Sequence, residues 1–272
     1  MKRGVVYQKI FDGDWLRSLF RLLNASSLNE TLLRQKRVLI KPNIVEALEP
    51  PITTPVGLVA SIVDYVKSAV PDAEVIVGDG TGSLEYDTYN AFDRLGYTAM
   101  AEEKGITLTD LNDEPLIELK RPELKRWPEM HLPEIVMESY LISVPVLKAH
   151  SLAGVTLTMK NMMGACPPSH YCKGGHWKKS SFHERIHEAI ADLNRYRTPD
   201  FTVLDATVGM SEAHLWGAEC DPRPNLILAS FDPVAIDACG CGILNRGPVN
   251  IGHITMVDGE LGCMEGYEVV EV

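Results

Sequence analysis

Short apolar runs alternate with amphipathic stretches along most of the chain. Val38–Lys41 (VLIK) reads as a buried strand stopped by Pro42. Thr53-Thr54-Pro55 reads as a cap followed by a first-turn proline, opening a helix to about Val70. Its apolar residues Val59, Ile62, Val63 and Val66 recur at helical spacing. Glu74–Val77 is the next strand, closed by Gly78-Asp79-Gly80-Thr81-Gly82, and a helix follows near Tyr89–Leu95. Residues 38–100 therefore form a β-α-β-α unit, which implies a parallel sheet with right-handed crossovers.

Residues 107–135 lose this rhythm. Pro115, Pro122, Pro128 and Pro133 interrupt them, so they read as an irregular excursion or a hairpin. Tyr140–Val146 resumes as a buried strand, with helices expected at Leu152–Met163 and Ser181–Tyr196 and strands at Phe201–Leu204 and Leu226–Ala229. Asp232-Pro233 opens a last helix to about Leu244, with Asp232 as N-cap. The pattern predicts a Rossmann-like α/β fold, a mostly parallel sheet with helices on both faces. Residues 1–272 read as one domain whose 140–262 half carries the site.

Composition narrows the partners. A net charge of -11 argues against a nucleic-acid backbone or an anionic membrane surface, both of which need a basic face. No run of eighteen apolar residues offers a membrane span, and the charged N-terminal stretch MKRGVVYQKIFDGDWLRSLF lacks a signal-peptide core. A cytoplasmic protein is the expectation. The six cysteines are too sparse for a disulfide scaffold and all lie beyond residue 165, a skew that suits a thiol or metal role.

The most informative segment is Val144–Gly164, VPVLKAHSLAGVTLTMKNMMG. It places Lys148, His150 and Lys160-Asn161 near one strand end, where open α/β sheets bind ligands. Lys41, Asn43, Asp79 and Thr81 belong to other strand ends and complete a candidate site for a small anionic molecule. In that site Lys41 and Lys148 hold the anion and His150 moves the proton. Cys166, His170, Cys172 and His176 fall within eleven residues, and their side chains suit zinc, iron or nickel. His183-Glu184-Arg185-Ile186-His187 matches H-E-x-x-H, with Glu212 as a third ligand for zinc. The longer metalloprotease pattern fails at Ile190, so no zinc protease is expected, and one of these histidines is expected to face the site.

These segments together resemble the iron–sulfur-associated domain of unknown function 362. The likeness rests on Lys41-Pro42-Asn43, the Gly-Asp-Gly turn, Val144-Pro145-Val146-Leu147-Lys148-x-His150, Thr156-x-x-x-Lys160-Asn161-x-x-Gly164 and Asp232-Pro233-Val234-Ala235-x-Asp237. It implies a metal ion or iron–sulfur cluster, redox chemistry and a ferredoxin-type redox partner. A more distant likeness is to the N-terminal domain of nickel-pincer lactate racemases, whose His…Lys…His series resembles His150, Lys160 and His176. That likeness implies Lys160 as tether of a nickel-pincer nucleotide, His176 as nickel ligand and His150 as acid/base. Gly82-Ser83 stands where the racemases carry a further histidine, and Lys41-Pro42-Asn43-Ile44 replaces their substrate motif. The leading expectation is thus a metal-linked redox enzyme. A racemase-like isomerase and a non-catalytic metal-binding or electron-transfer protein are the alternatives.

Overall fold

The computed structural model describes residues 4–272. Its strands are β1 (Val5–Ile10), β2 (Arg37–Pro42), β3 (Glu74–Asp79), β4 (Thr107–Asp110), β5 (Leu116–Lys120), β6 (Glu129–Pro133), β7 (Tyr140–Val144), β8 (Val146–His150), β9 (Gly154–Thr156), β10 (Phe201–Met210), β11 (Leu226–Ser230) and β12 (Glu268–Glu271). One sheet runs in the order β12-β1-β11-β10-β7-β2-β3-β4. Beyond Pro145, β8 takes over beside β10 and pairs with β9. The run from β10 through β7, β2 and β3 to β4 is parallel, whereas β10, β11 and β1 are antiparallel to their neighbours in turn.

The central strands are buried on both faces, which is why they read as continuous apolar runs. Val38, Ile40, Val75, Val77 and Ile142 project to one face and Leu39, Ile76 and Leu141 to the other, the two-residue alternation of a pleated strand. Helices Trp15–Ala25, Val56–Ala69 and Tyr97–Lys104 cover the first face through residues such as Leu19, Ile62 and Tyr97. Helices Ile186–Tyr196 and Pro233–Ile243 cover the second through Ile190 and Ile236. Each fully buried side chain of this kind contributes about 1.5–3 kcal/mol. Among the described residues no helix is long and apolar enough to cross a membrane.

The structure departs from the sequence pattern in several places. The 107–135 excursion supplies β4, a true edge strand of the sheet, before the separate β5–β6 hairpin. The helix expected at Leu152–Met163 is a turn at Gly154 (φ +77°), strand β9 and only a short helix Thr158–Asn161. β-Branched Val155 and Thr156 favour the strand there. The helix expected from Ser181 starts at Ile186, because Arg185 takes a left-handed conformation (φ 54°). Finally, β1 and the helix Trp15–Ala25, capped by the Asp14 side chain, lie in a stretch the pattern left unassigned.

Candidate functional site

The C-terminal ends of β2, β3 and β8 converge with the helix Thr158–Asn161 on one cavity of about 200 Å³. Lys41, Asn43, Asp79, Lys148, His150, Lys160 and Asn161 all line it. So do three side chains that pattern reasoning did not place there, Trp177, Lys179 and His214, together with His183, one of the two histidines of which one was expected to face the site.

The floor is a closed polar network. Lys41 Nζ lies 2.7 Å from Asp79 Oδ1, and both side chains are almost completely buried, at 0% and 3% exposure. The other Asp79 oxygen accepts from the Ile44 N–H at 2.6 Å. Asn161 Oδ1 accepts from Lys41 Nζ and from Asn43 Nδ2, and its amide nitrogen donates to Ser143 Oγ. Two glycines permit this packing. A Cβ on Gly164 would stand 2.1 Å from Asp79 Oδ1 and 2.5 Å from Lys41 Nζ. One on Gly80 would meet Asn112 Oδ1 and Gly164 O, each at 2.5 Å. Close approach, rather than a left-handed backbone, is therefore what both positions require.

The wall differs in charge. Lys148 Nζ donates only to neutral oxygens, Asn43 Oδ1 at 2.7 Å and Ile52 O at 2.6 Å. Burial, with help from the neighbouring Lys160 cation, lowers its pKa to about 7. Lys160 has no hydrogen-bond or ion-pair partner among the described residues, and desolvation lowers its pKa to about 8. Its helix is fixed from beneath by Asp237, whose carboxylate accepts from the Thr158 and Met159 N–H groups. Lys179 is held by Asn112 Oδ1, Gly164 O and Cys166 O, and burial lowers its pKa to about 8.

His150 is a neutral donor. His150 Nδ1 accepts from the Leu152 and Ala153 N–H groups at 3.1 and 3.0 Å. Two donors on Nδ1 leave that atom without a proton, so the neutral ring carries its hydrogen on Nε2. Burial, followed by the Lys160 charge, pushes its pKa far down. The general-base role expected for His150 needs an unprotonated nitrogen free to receive a proton, and this bonding leaves none. The ring stacks on His214 at 4.1 Å, and burial lowers the His214 pKa to about 3. Lys160 is a shared cause of the lowered pKa values of Lys148, His150, His183 and His214, behind burial in each case, so it stands electrostatically at the centre of the group.

Other expected residues lie elsewhere. The Thr81 hydroxyl donates to Val45 O, and its N–H donates to Thr88 Oγ1, so it secures the turn rather than lining the cavity. Cys166 is buried, and desolvation pushes its thiol up to about 12. Cys172 and His176 are exposed on a loop, and His170 stacks on His131 at 3.8 Å. No three of Cys166, His170, Cys172 and His176 bring ligand atoms together. Among the described residues the three-ligand group is Glu118, Glu129 and His131 on the β5–β6 hairpin, within 4.8 Å of one another. Lys120 already pairs with both glutamates. Of the H-E-x-x-H pair, His183 lines the cavity, whereas His187 Nδ1 meets His253 Nδ1 at 3.1 Å. The pair does not share one helical face, and Glu212 is spent on the Ala218 N–H.

Comparison with known proteins agrees with this architecture. The chain is 26% identical over 227 residues to the thylakoid-associated protein sll1697 of Synechocystis, covering 79% of this chain and 65% of that relative. It also superposes on the lactate racemase apoprotein of Thermoanaerobacterium thermosaccharolyticum with a TM-score of 0.55 and 13% identity. That match covers 88% of this chain and 56% of the racemase, a likeness of fold. The chain thus spans less than two thirds of the length of either relative. Residues 38–242, which carry every element around the cavity, match the model of one family, and the chain belongs to it: Domain of unknown function (DUF362).

Proposed function

We propose that the protein is an enzyme that binds a small anionic molecule at the strand ends and moves a proton on it. The observation that carries this reading is the convergence of four lysines on one small cavity with a single carboxylate, Asp79, already paired to Lys41. Lys148 anchors the anionic group through its remaining N–H. The Lys160 amine, with a pKa near neutrality, takes a proton from the substrate and the resulting ammonium returns one. Acid–base groups work best when their pKa lies near the working pH. His150 donates its Nε2–H to the substrate oxygen that carries charge, a preorganised neutral donor in a dry site. Reversible proton transfer of this kind is isomerase-type chemistry, and the racemase-like fold is consistent with it. On this reading the chain forms one α/β domain around the cavity.

A nickel-pincer nucleotide would need Lys160 as tether and His176 as ligand. Lys160 lines the cavity, but His176 is exposed and is not among its walls. An iron–sulfur cluster would need cysteines gathered in one place. Cys166 is buried and Cys172 exposed, and among the described residues no three cysteines, including Cys239, Cys241 and Cys263 near Tyr267, bring their sulfur atoms within 4.8 Å of one another. The donor sets do not fit, and no step is drawn through either group. The redox reading and its ferredoxin-type partner have no further support.

The test is a thermal-shift screen of small carboxylates and oxyanions, followed by incubation of each stabilising anion in D₂O. Deuterium should appear in at least one of them by NMR and should not appear with Lys160→Met. If no anion raises the melting temperature of the parent protein, the reading is wrong.

A further inference from the structure

We infer that the cavity is built for a tetrahedral dianion of the phosphate type, held between the Lys148 and Lys160 ammonium groups and taken up together with a proton. This rests on the anion-binding reading above and goes beyond it by naming the ligand's charge, shape and protonic linkage.

The charge count comes first. Lys41 is neutralised by Asp79, and Lys179 is enclosed by three oxygens of the protein. Lys148 meets only neutral acceptors, and Lys160 meets none among the described residues. Two uncompensated ammonium groups therefore face one small cavity, and two negative charges on the ligand match them.

Shape comes second. No arginine lines the cavity, so the flat two-pronged donor that suits a carboxylate is missing. Ammonium groups act as point charges, which suit an oxyanion with oxygens in several directions. Thr156 stands opposite Lys148 in the β8–β9 register and lines the cavity, and its buried hydroxyl has no partner in the protein. An oxygen-rich ligand would give that hydroxyl an acceptor.

The linkage follows from crowding. Lys148 is faced by Lys160 and Asp79 directly, by His150 two residues along its strand, by His214 across the cavity, and by Lys41 through Asn43 and Asn161, while His150, His183 and His214 face Lys160. The cationic neighbour and burial together push its proton off, and burial does the same at Lys160. A dianion between them reverses that balance, so binding must draw a proton from solution.

Sulfate is the probe, because it is tetrahedral and remains a dianion throughout the neutral range. Its titration into the full chain near pH 8, in buffers of different ionisation heat, reads affinity and proton uptake together, with acetate as the monoanion. Sulfate should bind at least tenfold more tightly than acetate, with net proton uptake. Lys160→Met and Lys148→Met should each weaken sulfate by on the order of tenfold or more and reduce the uptake. Lys160→Met removes no hydrogen bond or ion pair among the described residues, so it carries the test even if Lys148→Met fails to fold. Acetate binding as tightly as sulfate would overturn the dianion inference and leave the anion-binding reading standing. Sulfate binding unchanged in Lys160→Met would mark an adventitious ion elsewhere and overturn the inference. If neither anion binds the parent, both readings fall.

Discussion

The floor and the wall of the cavity hold lysines of two kinds. On the floor, Lys41 is fully buried, paired with Asp79 and tied to Asn161. On the wall, Lys148 is just as buried yet has only neutral acceptors, and Lys160 has no hydrogen-bond or ion-pair partner among the described residues. Burying an ammonium group is costly unless an opposite charge or several acceptors offset it. The floor meets that condition within the protein, so its lysine is structural. The wall does not, so its lysines carry their protons at a cost that loss of the proton or a bound anion offsets.

Several substitutions probe that contrast. The largest effect is expected on the floor. Asp79→Ala leaves the Lys41 charge buried and unpaired, which should cost about 3–5 kcal/mol in urea unfolding. Next comes Gly164→Ala, whose methyl group would collide with the Lys41–Asp79 pair; overpacking of this kind costs about 1–3 kcal/mol. A gradual effect is expected with pH. The Lys148 pKa is about 7 in the fold and 10.5 as its ordinary value, so between these the unfolded chain binds more protons. Stability of the anion-free protein should therefore rise as pH climbs from about 7 to about 9, and the cost of the buried cation should be present in full below that window. Thermal melts of Lys148→Met across the same range should show a flatter slope; an identical slope would assign the titration to other groups. The smallest loss of folding stability is expected at Lys160→Met, which removes a cation held at a cost and should leave the fold no less stable than the parent, while anion binding is weakened. If Lys160→Met were as destabilising as Asp79→Ala, the distinction between floor and wall would collapse.

Much of this contrast was legible in the chain, because strand ends are. VLIK before Pro42 and the strand before Gly78-Asp79-Gly80 fix where Lys41 and Asp79 sit, and parallel pairing brings those ends to one edge. Lys148 and His150 share a side of β8 by the two-residue alternation. The roles were harder to read. That Asp79 neutralises Lys41 depends on how two strand ends face each other, which no local pattern records. That His150 is a donor depends on two N–H groups of the turn that follows it, in a stretch whose pattern suggested a helix. Lys179 and His214 sit outside regular strands and helices, and His183 in a single 3₁₀ turn, so periodicity says nothing of where they point. The cysteine–histidine loop misled for the converse reason: its ligand types are close in sequence, yet Cys166 turns into the core while Cys172 and His176 face solvent.

The most direct test of the contrast is an NMR titration of the lysine side chains, with and without sulfate. The account predicts that Lys148 and Lys160, assigned from the two methionine variants, titrate near pH 7 and 8 in the free protein. Both should move upward by one unit or more once sulfate is bound. Titration of both lysines at the ordinary value near 10.5, unmoved by the anion, would contradict it.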